Sequence, residues 1–164
     1  MDYIAHYDSP LGGITLASNG EVLTGLWFEG QKHFGSTLGA PHEERSGLPV
    51  FDETRRWLDI FFSGREPDFT PPLSLSGTPF QQRVWKELLT IPYSQTVTYG
   101  ELARRLGCRS AQAVGGAVSR NPISIIVPCH RVVGADGSLT GYAGGLDCKR
   151  ALLELEQKIY FAIN

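Results

Sequence analysis

The sequence predicts an α+β protein with two domains, a sheet-forming first half and a mainly helical second half. Three observations favour this class. Apolar runs separated by turn residues fill the start of the chain, helix-capping patterns recur in the second half, and a proline-rich segment, Pro67–Pro72, lies between them. A chain of 164 residues is long enough for two small domains. We place these domains at residues 1–75 and 76–164.

The first domain begins with three predicted strands and ends with a helix. An Asn-Gly pair at positions 19 and 20 stands between two of the apolar runs and is a strong signal for a hairpin. Apolar residues recur at roughly helical spacing over Phe51–Phe62, with charged residues between them. Prolines cannot continue this helix, so we interpret the proline-rich segment as the interdomain linker. The predicted strands are Tyr3–Tyr7, Gly13–Ser18 and Val22–Phe28.

The second domain contains a candidate helix-turn-helix. A capping-box pattern predicts that a first helix begins after Thr78. A second cap at Thr98 begins a short helix that Gly107 should end. A third helix is predicted from Ser110 to about Arg120. Two short helices joined by a tight turn that contains glycine are typical of DNA-binding proteins.

The third helix carries almost no bulk. Two adjacent glycines, Gly115 and Gly116, each destabilise a helix interior by about 1 kcal/mol. We therefore expect a neighbouring helix or a ligand to approach the helix closely at this point. Close packing against another helix and close approach to a nucleic-acid groove both explain such small side chains, and the sequence leaves this choice open. The other small residues are Ala111, Ala113 and Ala117.

Composition and charge limit the class of protein. With 41% hydrophobic and 20% charged residues, the chain has the composition of a globular protein. No apolar stretch approaches the roughly 20 residues that span a bilayer, and the start lacks the blocks of a signal peptide, so we expect a cytoplasmic protein with no membrane partner. Residues 1–75 contain 5 Lys or Arg against 11 Asp or Glu, whereas residues 76–164 contain 10 against 6. Either the second half faces a polyanion or the asymmetry is ordinary solvated surface charge.

Cys129 is the strongest candidate for chemistry. The chain has three cysteines, an odd number with no Cys-x-x-Cys pair, so neither a disulfide scaffold nor a zinc site is predicted. A β-branched run, Ile123–Val127, predicts a short buried strand that Pro128 ends just before the thiol. The next two residues, His130 and Arg131, have polar or charged side chains of a kind that is seldom buried in an apolar core. We therefore interpret Cys129 as a reactive nucleophile and not as a packing residue.

A thiol nucleophile needs a base and an orienting carboxylate. His130 is the adjacent base, but neighbouring residues of an extended chain point to opposite sides, so a water or a turn must connect it to the thiol. Glu154 and Glu156 are the nearest downstream carboxylates, on a predicted terminal helix Ala151–Leu155. The residue pattern does not choose between them.

A glycine-rich loop follows the nucleophile. Gly134–Gly145 contains five glycines and lacks the Gly-Lys-Ser/Thr ending of a phosphate-binding loop. A flexible surface loop is the default interpretation, but a loop of this length beside a nucleophile can also wall a pocket. In that case the Tyr142 ring supplies one face.

Several spaced motifs resemble those of the O6-alkylguanine-DNA alkyltransferases, also called methylated-DNA-protein-cysteine methyltransferases. The match covers about residues 78–156 and is specific, because the motifs recur in one order; residues 7–12 give a weaker match to the family's first domain. The resemblance implies a ribonuclease H-like α/β domain over residues 1–75 and a mainly helical, winged helix-turn-helix-like domain over residues 76–164. The motifs are Ile91–Tyr93, Thr98–Leu102, Ala113–Gly115, Asn121-Pro122, Pro128–Val132 and Gly141–Gly145.

The resemblance implies DNA repair by direct reversal. The protein would enter the minor groove of double-stranded DNA, flip out an O6-alkylguanine and move its alkyl group irreversibly to Cys129, because the O6 atom is out of reach inside a duplex. His130 and Glu156 would deprotonate the thiol through a water. Asn121 would brace the active-site turn, and Tyr99 would hydrogen-bond the flipped base and help rotate its phosphate.

The resemblance also implies a set of binding residues. The carbonyls of Cys129 and Val132 and the amide of Ala143 would contact the guanine edge, while the third helix would enter the groove. We expect the protein to act as a monomer without a cofactor or a metal, since no N-terminal cysteine supports the zinc site that some members have. The implied substrate and DNA contacts are Ala111, Gln112, Ala113, Gly115, Arg120, Val132, Tyr142 and Ala143.

One departure from the family concerns Gln112. This glutamine stands where the family has an arginine that fills the gap left by the flipped base. A glutamine can occupy the gap but carries no charge. Whether this residue fills the gap, and whether it contributes to electrostatic binding of DNA, is therefore an open question. Arg109, just upstream, is the alternative residue for the role.

Three other functions are compatible with parts of the pattern. A non-enzymatic, alkyltransferase-like protein would bind damaged DNA, but such proteins lack the reactive cysteine. A cysteine hydrolase would release product and turn over. A helix-turn-helix regulator would bind a preferred DNA sequence even after Cys129→Ala.

Overall fold

The computed structural model describes residues 1–158 and divides the chain into two compact units. The first unit comprises Met1–Ser76 together with Pro122–Ser124, and the second comprises Gly77–Asn121 and the chain from Ile125 onward. No helix among the described residues is long and apolar enough to cross a membrane.

The first unit is a four-stranded sheet covered by one helix. Its strands are β1 (Asp2–Ser9), β2 (Gly12–Ser18), β3 (Leu23–Phe28) and β4 (His42–Glu44), in the order β3-β2-β1-β4. The first three pair antiparallel, which confirms the three predicted strands and the hairpin at Asn19-Gly20, and β4 pairs parallel to β1. The short β4 was not predicted, because all three of its residues are exposed and carry no apolar pattern.

Helix α1 (Pro49–Phe62) confirms the helix predicted at Phe51–Phe62. It buries Phe51, Leu58 and Phe61, and the neighbouring strands bury apolar side chains of their own. The proline-rich segment after α1 is not a free linker, because the chain beyond it joins the sheet. Leu23 of β3 donates its N–H to the carbonyl of Pro72, and its carbonyl accepts from the N–H of Ser74.

The described part of the second unit, up to residue 158, contains four α-helices and a small parallel sheet. The elements are α2 (Pro79–Leu88), β5 (Val97–Thr98), α3 (Tyr99–Arg105), α4 (Ala111–Ser119), β6 (Val132–Val133) and α5 (Leu146–Gln157), with β5 paired to β6. The predicted helix starts are confirmed: the side chains of Thr78, Thr98 and Ser110 each accept a hydrogen bond from a backbone N–H three residues later. The turn between α3 and α4 includes Gly107 at φ 66°.

Two sequence predictions for the second half of the chain were wrong in detail. Ile123–Val127 is not a strand, although all five residues are buried; it is a turn in which Ile125 adopts φ 72°, a left-handed conformation that is rare for a β-branched side chain. The terminal helix is longer than Ala151–Leu155. Because α5 begins at Leu146, its buried face includes Lys149, two residues before the predicted start.

Candidate active site

A tight turn holds Cys129 at the start of a single turn of 3-10 helix, Cys129–Arg131. Pro128, at φ −83° and ψ 65°, is the centre of an inverse γ-turn in which the N–H of Cys129 donates to the carbonyl of Val127 at 2.8 Å. The Asn121 side chain donates to the same carbonyl, also at 2.8 Å. These two bonds fix the backbone immediately before the thiol, and one of them comes from the predicted site residue Asn121.

His130 and Glu156 form a buried hydrogen-bonded pair. His130 Nε2 lies 2.6 Å from Glu156 Oε2, and both side chains are fully buried. A carboxylate only accepts, so the proton of this bond is on Nε2. In a neutral imidazole, Nδ1 then carries the lone pair that can accept a proton. Of the two carboxylates that the sequence left open, Glu156 is therefore the one beside the base.

Arg131 completes this cluster. Its Nε and Nη2 donate to the two carboxylate oxygens of Glu156 at 2.9 and 2.8 Å, and its Nη1 donates to the carbonyl of Ile91 at 2.7 Å. The N–H of Ser94 also donates to Glu156, at 3.2 Å. A paired, side-on guanidinium fixes the orientation of the carboxylate and so of the imidazole.

The cluster keeps Glu156 ionised and His130 neutral. Burial alone would raise the pKa of Glu156, but its hydrogen bonds and charge interactions with His130 and Arg131 outweigh burial and lower that pKa to about 2. Burial lowers the pKa of His130, and the positive charges of Arg131 and Lys149 lower it further against the opposing effect of Glu156. The imidazole is therefore a base and not a cation at neutral pH.

Burial raises the pKa of the Cys129 thiol. The residue is only 5% exposed, and removing a thiolate from water is unfavourable. A hydrogen bond with the Asn121 side chain and the positive charge of Lys149 act in the opposite direction. The thiol is thus held in its protonated state until a base or a positive charge stabilises the thiolate.

Tyr99 lies at the edge of an open cavity of about 400 Å³. Its hydroxyl donates to the carbonyl of Thr140 at 3.1 Å, with the carbonyl of Gly141 at 3.4 Å, so it connects α3 to the glycine-rich loop. Burial raises the pKa of Tyr99, and the charge of Cys129 raises it further. The cavity is lined by Tyr99, Ala111, Gln112, Gly115, Ser119, Thr140 and Gly141. Two residues of the glycine-rich loop therefore wall a pocket, but Cys129 and Tyr142 are not among its lining residues.

The predicted DNA contacts lie on the surface of α4. Ala111, Gln112 and Ala113 are exposed, and so is Arg120, just after the helix. Neither glycine of the helix is required for packing among the described residues. A Cβ atom on Gly115 would lie 3.7 Å from the Tyr99 ring, an ordinary contact, and on Gly116 it would meet no atom within 4 Å.

The residues predicted to contact the base lie in the cysteine turn, in β6 and in the glycine-rich loop. The carbonyl of Cys129 accepts from the N–H of Val132, and the carbonyl of Val132 accepts from Lys149 Nζ at 2.5 Å. Each oxygen has a second lone pair that can accept another hydrogen bond. Tyr142 is buried and Ala143 is partly exposed in the loop. Arg109, the alternative to Gln112, is exposed before α4.

Two residues of the site were missed from the sequence. Arg131 was noted only as a poor core residue, and Lys149 was not noted at all. Lys149 precedes Glu156 by seven residues, and residues at this spacing lie on the same face of a helix. Leu152 and Leu153 occupy the positions between them on the buried face of α5. A search for ionisable residues at this spacing on the terminal helix would have found the lysine.

The arrangement can deprotonate a buried thiol for a single nucleophilic step. The side chains required are a thiol, a neutral imidazole and a carboxylate that orients it, and all three lie in one unit. Among residues 1–158, no group of three His, Cys, Asp or Glu side chains is arranged to hold a metal ion.

Comparison with known families covers both units of the chain. Residues 3–75 match the ribonuclease-like domain of 6-O-methylguanine DNA methyltransferase, and residues 79–158 match its DNA binding domain. A methylated-DNA--protein-cysteine methyltransferase of Mycobacterium leprae is 51% identical over 158 residues, which cover 96% of this chain and 93% of the relative. A relative of the same name from Haemophilus influenzae is 43% identical over 160 residues, covering 96% and 88%.

Solved structures show the same similarity. The crystal structure of Mycobacterium tuberculosis OGT in complex with DNA has a TM-score of 0.87 and 48% identity, covering 95% of this chain and 93% of that one. An O6-methylguanine-DNA methyltransferase from the hyperthermophilic archaeon Pyrococcus kodakaraensis has a TM-score of 0.65 and 28% identity, covering 95% and 99%. The predicted α+β class, with a ribonuclease-like domain before a DNA-binding domain, is confirmed.

Proposed function

Because the chain belongs to the 6-O-methylguanine DNA methyltransferase family, we propose that it repairs O6-alkylguanine in double-stranded DNA by irreversible transfer of the alkyl group to Cys129. This is the activity of a methylated-DNA-[protein]-cysteine S-methyltransferase that works once. The observation that carries the proposal is the buried thiol next to a neutral imidazole, which Glu156 orients at 2.6 Å.

The transfer conserves atoms and electrons without a cofactor. Cys129 loses its proton, its sulfur attacks the alkyl carbon, and the carbon–oxygen bond breaks with its electron pair moving to the guanine. The guanine then takes up one proton. The products are an S-alkylcysteine and unmodified guanine. Because a thiolate is a poor leaving group from a thioether, the alkyl group stays on the sulfur and the protein is consumed by its own reaction.

Each side chain of the cluster has a separate role in this step. His130 accepts the thiol proton through a bridging water, using the nitrogen opposite its bond to Glu156, and Glu156 stabilises the resulting imidazolium. Asn121 braces the turn that carries the thiol. Tyr99, whose hydroxyl lies at the pocket edge, hydrogen-bonds the flipped base and helps rotate its phosphate.

We also propose that α4 enters the minor groove and that the target base is flipped into the pocket. The support is the exposed row of small side chains on this helix, whose glycines are not needed for packing. Gln112, which lines the cavity, then fills the gap left by the base, and Arg120 contacts the backbone. The amide of Ala143, the carbonyls of Cys129 and Val132, and the Tyr142 ring surround the guanine.

The remaining proposals concern organisation. We assign residues 1–75 to the ribonuclease H-like domain and residues 76–164 to the alkyl-acceptor domain. The protein acts as a monomer, because direct reversal needs one thiol, one substrate and no second subunit or cofactor. We place it in the cytoplasm.

Mass spectrometry of the Cys129 peptide tests the function. Protein is incubated with a duplex oligonucleotide containing O6-methylguanine, and we expect a mass gain of one methyl group on this peptide, with at most one equivalent repaired. Cys129→Ser is the control that should bind the oligonucleotide and gain nothing. Binding without any mass gain in the unaltered protein would instead identify a non-enzymatic damage-binding protein, and repair beyond one equivalent would identify a hydrolase.

A further inference from the structure

The thiol and the cavity beside Tyr99 are separate in this structure. Cys129 is only 5% exposed, and it is not among the described residues that line the cavity. For alkyl transfer, the sulfur and the alkyl carbon must approach to about 3–3.5 Å. A base in the cavity would not contact the thiol, so part of the site has to move before the two can react.

The glycine-rich loop is the part best suited to move. The cysteine turn is braced by two hydrogen bonds of 2.8 Å to one carbonyl, so it is the more rigid side of the site. In the loop, Gly137 and Gly145 stand on either side of Thr140, at φ 81° and 97°. Glycines change backbone conformation at little cost, so the chain between these two residues can pivot about them.

Two hydrogen bonds hold the loop at a single carbonyl. The Tyr99 hydroxyl donates to the carbonyl of Thr140 at 3.1 Å from the start of α3, and Lys149 Nζ donates to it at 2.7 Å from α5. The same Nζ also donates to the carbonyl of Val132, the residue that follows the cysteine turn. Because the carbonyls of Thr140 and Val132 share one donor, the loop lies against the chain that leaves this turn.

The bond from Tyr99 is the one that a substrate can replace. Tyr99 lines the cavity, whereas Lys149 is fully buried and does not. Burial raises the pKa of Tyr99, so the hydroxyl keeps its proton at neutral pH. A tyrosine hydroxyl has one proton to donate. A base that accepts this hydrogen bond therefore removes it from the Thr140 carbonyl.

We propose that the hydrogen bond from Tyr99 to Thr140 is a latch, which keeps the glycine-rich loop closed over Cys129 until a base in the cavity accepts this bond instead. The inference rests on the proposed function in that it concerns the same thiol and the same base. Opening breaks no covalent bond, and the tyrosine keeps its proton. The hydroxyl thus has two opposite effects, since it restricts access to the thiol in the free protein and admits the base in the complex.

The first experiment measures the rate of iodoacetamide reaction at Cys129 without DNA, by peptide mass spectrometry over a range of pH. Tyr99→Phe keeps the ring and removes the latch. Loss of one neutral hydrogen bond shifts the opening equilibrium by about 1 kcal/mol, so we expect alkylation about fivefold faster at every pH, with the same midpoint. The same variant should repair O6-methylguanine more slowly, because the base also loses a partner.

A matched control separates opening of the loop from a general loss of stability. Thr78→Ala removes one hydrogen bond from the cap of α2, at a similar cost in stability, and none from the loop. We expect this variant to react with iodoacetamide at the original rate. Equal acceleration by both variants, an unchanged rate in Tyr99→Phe, or a shifted pH midpoint in place of a uniform increase would each overturn the inference.

The second experiment uses the unaltered protein and so does not depend on the folding of a variant. Opening of a loop exposes little surface, whereas global unfolding exposes much of it. The rate of alkylation at Cys129 should therefore stay nearly constant in urea below the unfolding transition. If the thiol reacts only from the unfolded chain, the rate will instead rise about fivefold or more for each molar of urea, and the latch is excluded.

Failure of the inference and failure of the proposed function are distinguishable, because iodoacetamide requires no DNA. Faster alkylation of Tyr99→Phe in a protein that gains no methyl group from the oligonucleotide would support the latch and refute the function. Methyl transfer from the oligonucleotide, with alkylation unaffected by Tyr99→Phe, would do the opposite.

Discussion

Replacing Glu156 by glutamine should destabilise the second unit strongly at neutral pH. The carboxylate accepts hydrogen bonds from His130, from Arg131 at both oxygens and from the N–H of Ser94. A glutamine side chain has one acceptor oxygen and an NH2 group that would face donors of the same kind. The substitution therefore breaks a buried ion pair and leaves the Arg131 charge without a partner.

Two estimates give a similar magnitude. Removing one partner of a buried ion pair costs about 3–5 kcal/mol. Independently, the pKa of Glu156 is lowered from 4.5 to about 2. Because one pKa unit corresponds to about 1.4 kcal/mol, ionised Glu156 contributes about 3 kcal/mol to folding. We therefore expect Glu156→Gln to reduce the free energy of unfolding by about 3 kcal/mol at pH 7.

The lowered pKa of Glu156 also determines how the free energy of unfolding depends on pH. A carboxyl whose pKa is lower in the folded state contributes stability that is fully present above the pKa of the unfolded chain, 4.5, and is lost as pH falls towards 2. Glutamine does not titrate. The difference in stability between the original protein and Glu156→Gln should therefore shrink across this range as the carboxyl becomes protonated.

Urea denaturation, followed by circular dichroism between pH 7 and pH 2.5, measures this difference. Glu154→Gln is the matched control, because this glutamate lies on the same helix, is partly exposed and makes none of the contacts of Glu156; it should change stability by about 0.5 kcal/mol or less. A loss below about 1 kcal/mol for Glu156→Gln, or a loss that does not vary with pH, would refute the charge-pair argument.

Three further predictions concern DNA and the pocket. Gln112→Arg should speed repair of duplex but not of single-stranded oligonucleotide, because a charged side chain would fill the space that the flipped base leaves in the duplex. Equal rates on both substrates would mean that another residue fills this space, and Arg109→Ala would be the next variant. Affinity for duplex DNA should fall as salt rises, with a log–log slope of about −3 if exposed Arg104, Arg109 and Arg120 each neutralise one phosphate; a flat response in a binding titration counts against DNA contact by this face. Tyr99→Phe removes the hydrogen bond to Thr140, so it should lower the free energy of unfolding by about 1 kcal/mol and slow transfer in a single-turnover assay. An unaltered rate and an unaltered stability would show that the hydroxyl contributes to neither.

Local signals in the sequence predicted most of the helices and strands. Thr78 and Gln81 make both hydrogen bonds of a capping box, and Ser110 caps α4 as its position suggested. Such contacts join residues three apart, so they are visible in the sequence. The strand β4 was missed because it is defined only by its pairing to β1, and its own exposed residues show no pattern.

The turn before Cys129 shows why an apolar run is ambiguous. Four of the five residues of Ile123–Val127 are β-branched, and such a run alone predicts a strand. In the fold, Ile125 takes a left-handed conformation and the Asn121 side chain, six residues before Val127, occupies the Val127 carbonyl. A conformation of this kind costs of order 1–3 kcal/mol and persists only where the surroundings determine it, which no local signal reports.

The site itself was predicted in part. The motif Pro128–Val132 pointed to the thiol and the imidazole, and the family resemblance selected Glu156. Lys149 was missed because a lysine in a polar helix is usually a surface residue, and only the packing of α5 shows that it is buried. Its seven-residue spacing from Glu156 places it on the same face of the helix, but only the fold shows that this face is the buried one.

Burial of the thiol serves a protein that can react once. Burial raises the pKa of Cys129, so at neutral pH the resting protein carries mainly the less reactive thiol. Small electrophiles then consume little of it. The cost is a weaker nucleophile. The proposed base, His130, would offset this cost by accepting the proton, and the positive charge of Lys149 lowers the pKa of the thiol in part. Replacing this cluster by apolar residues would often be neutral or stabilising for a fold, so its buried charges are better explained by the chemistry of the thiol than by stability.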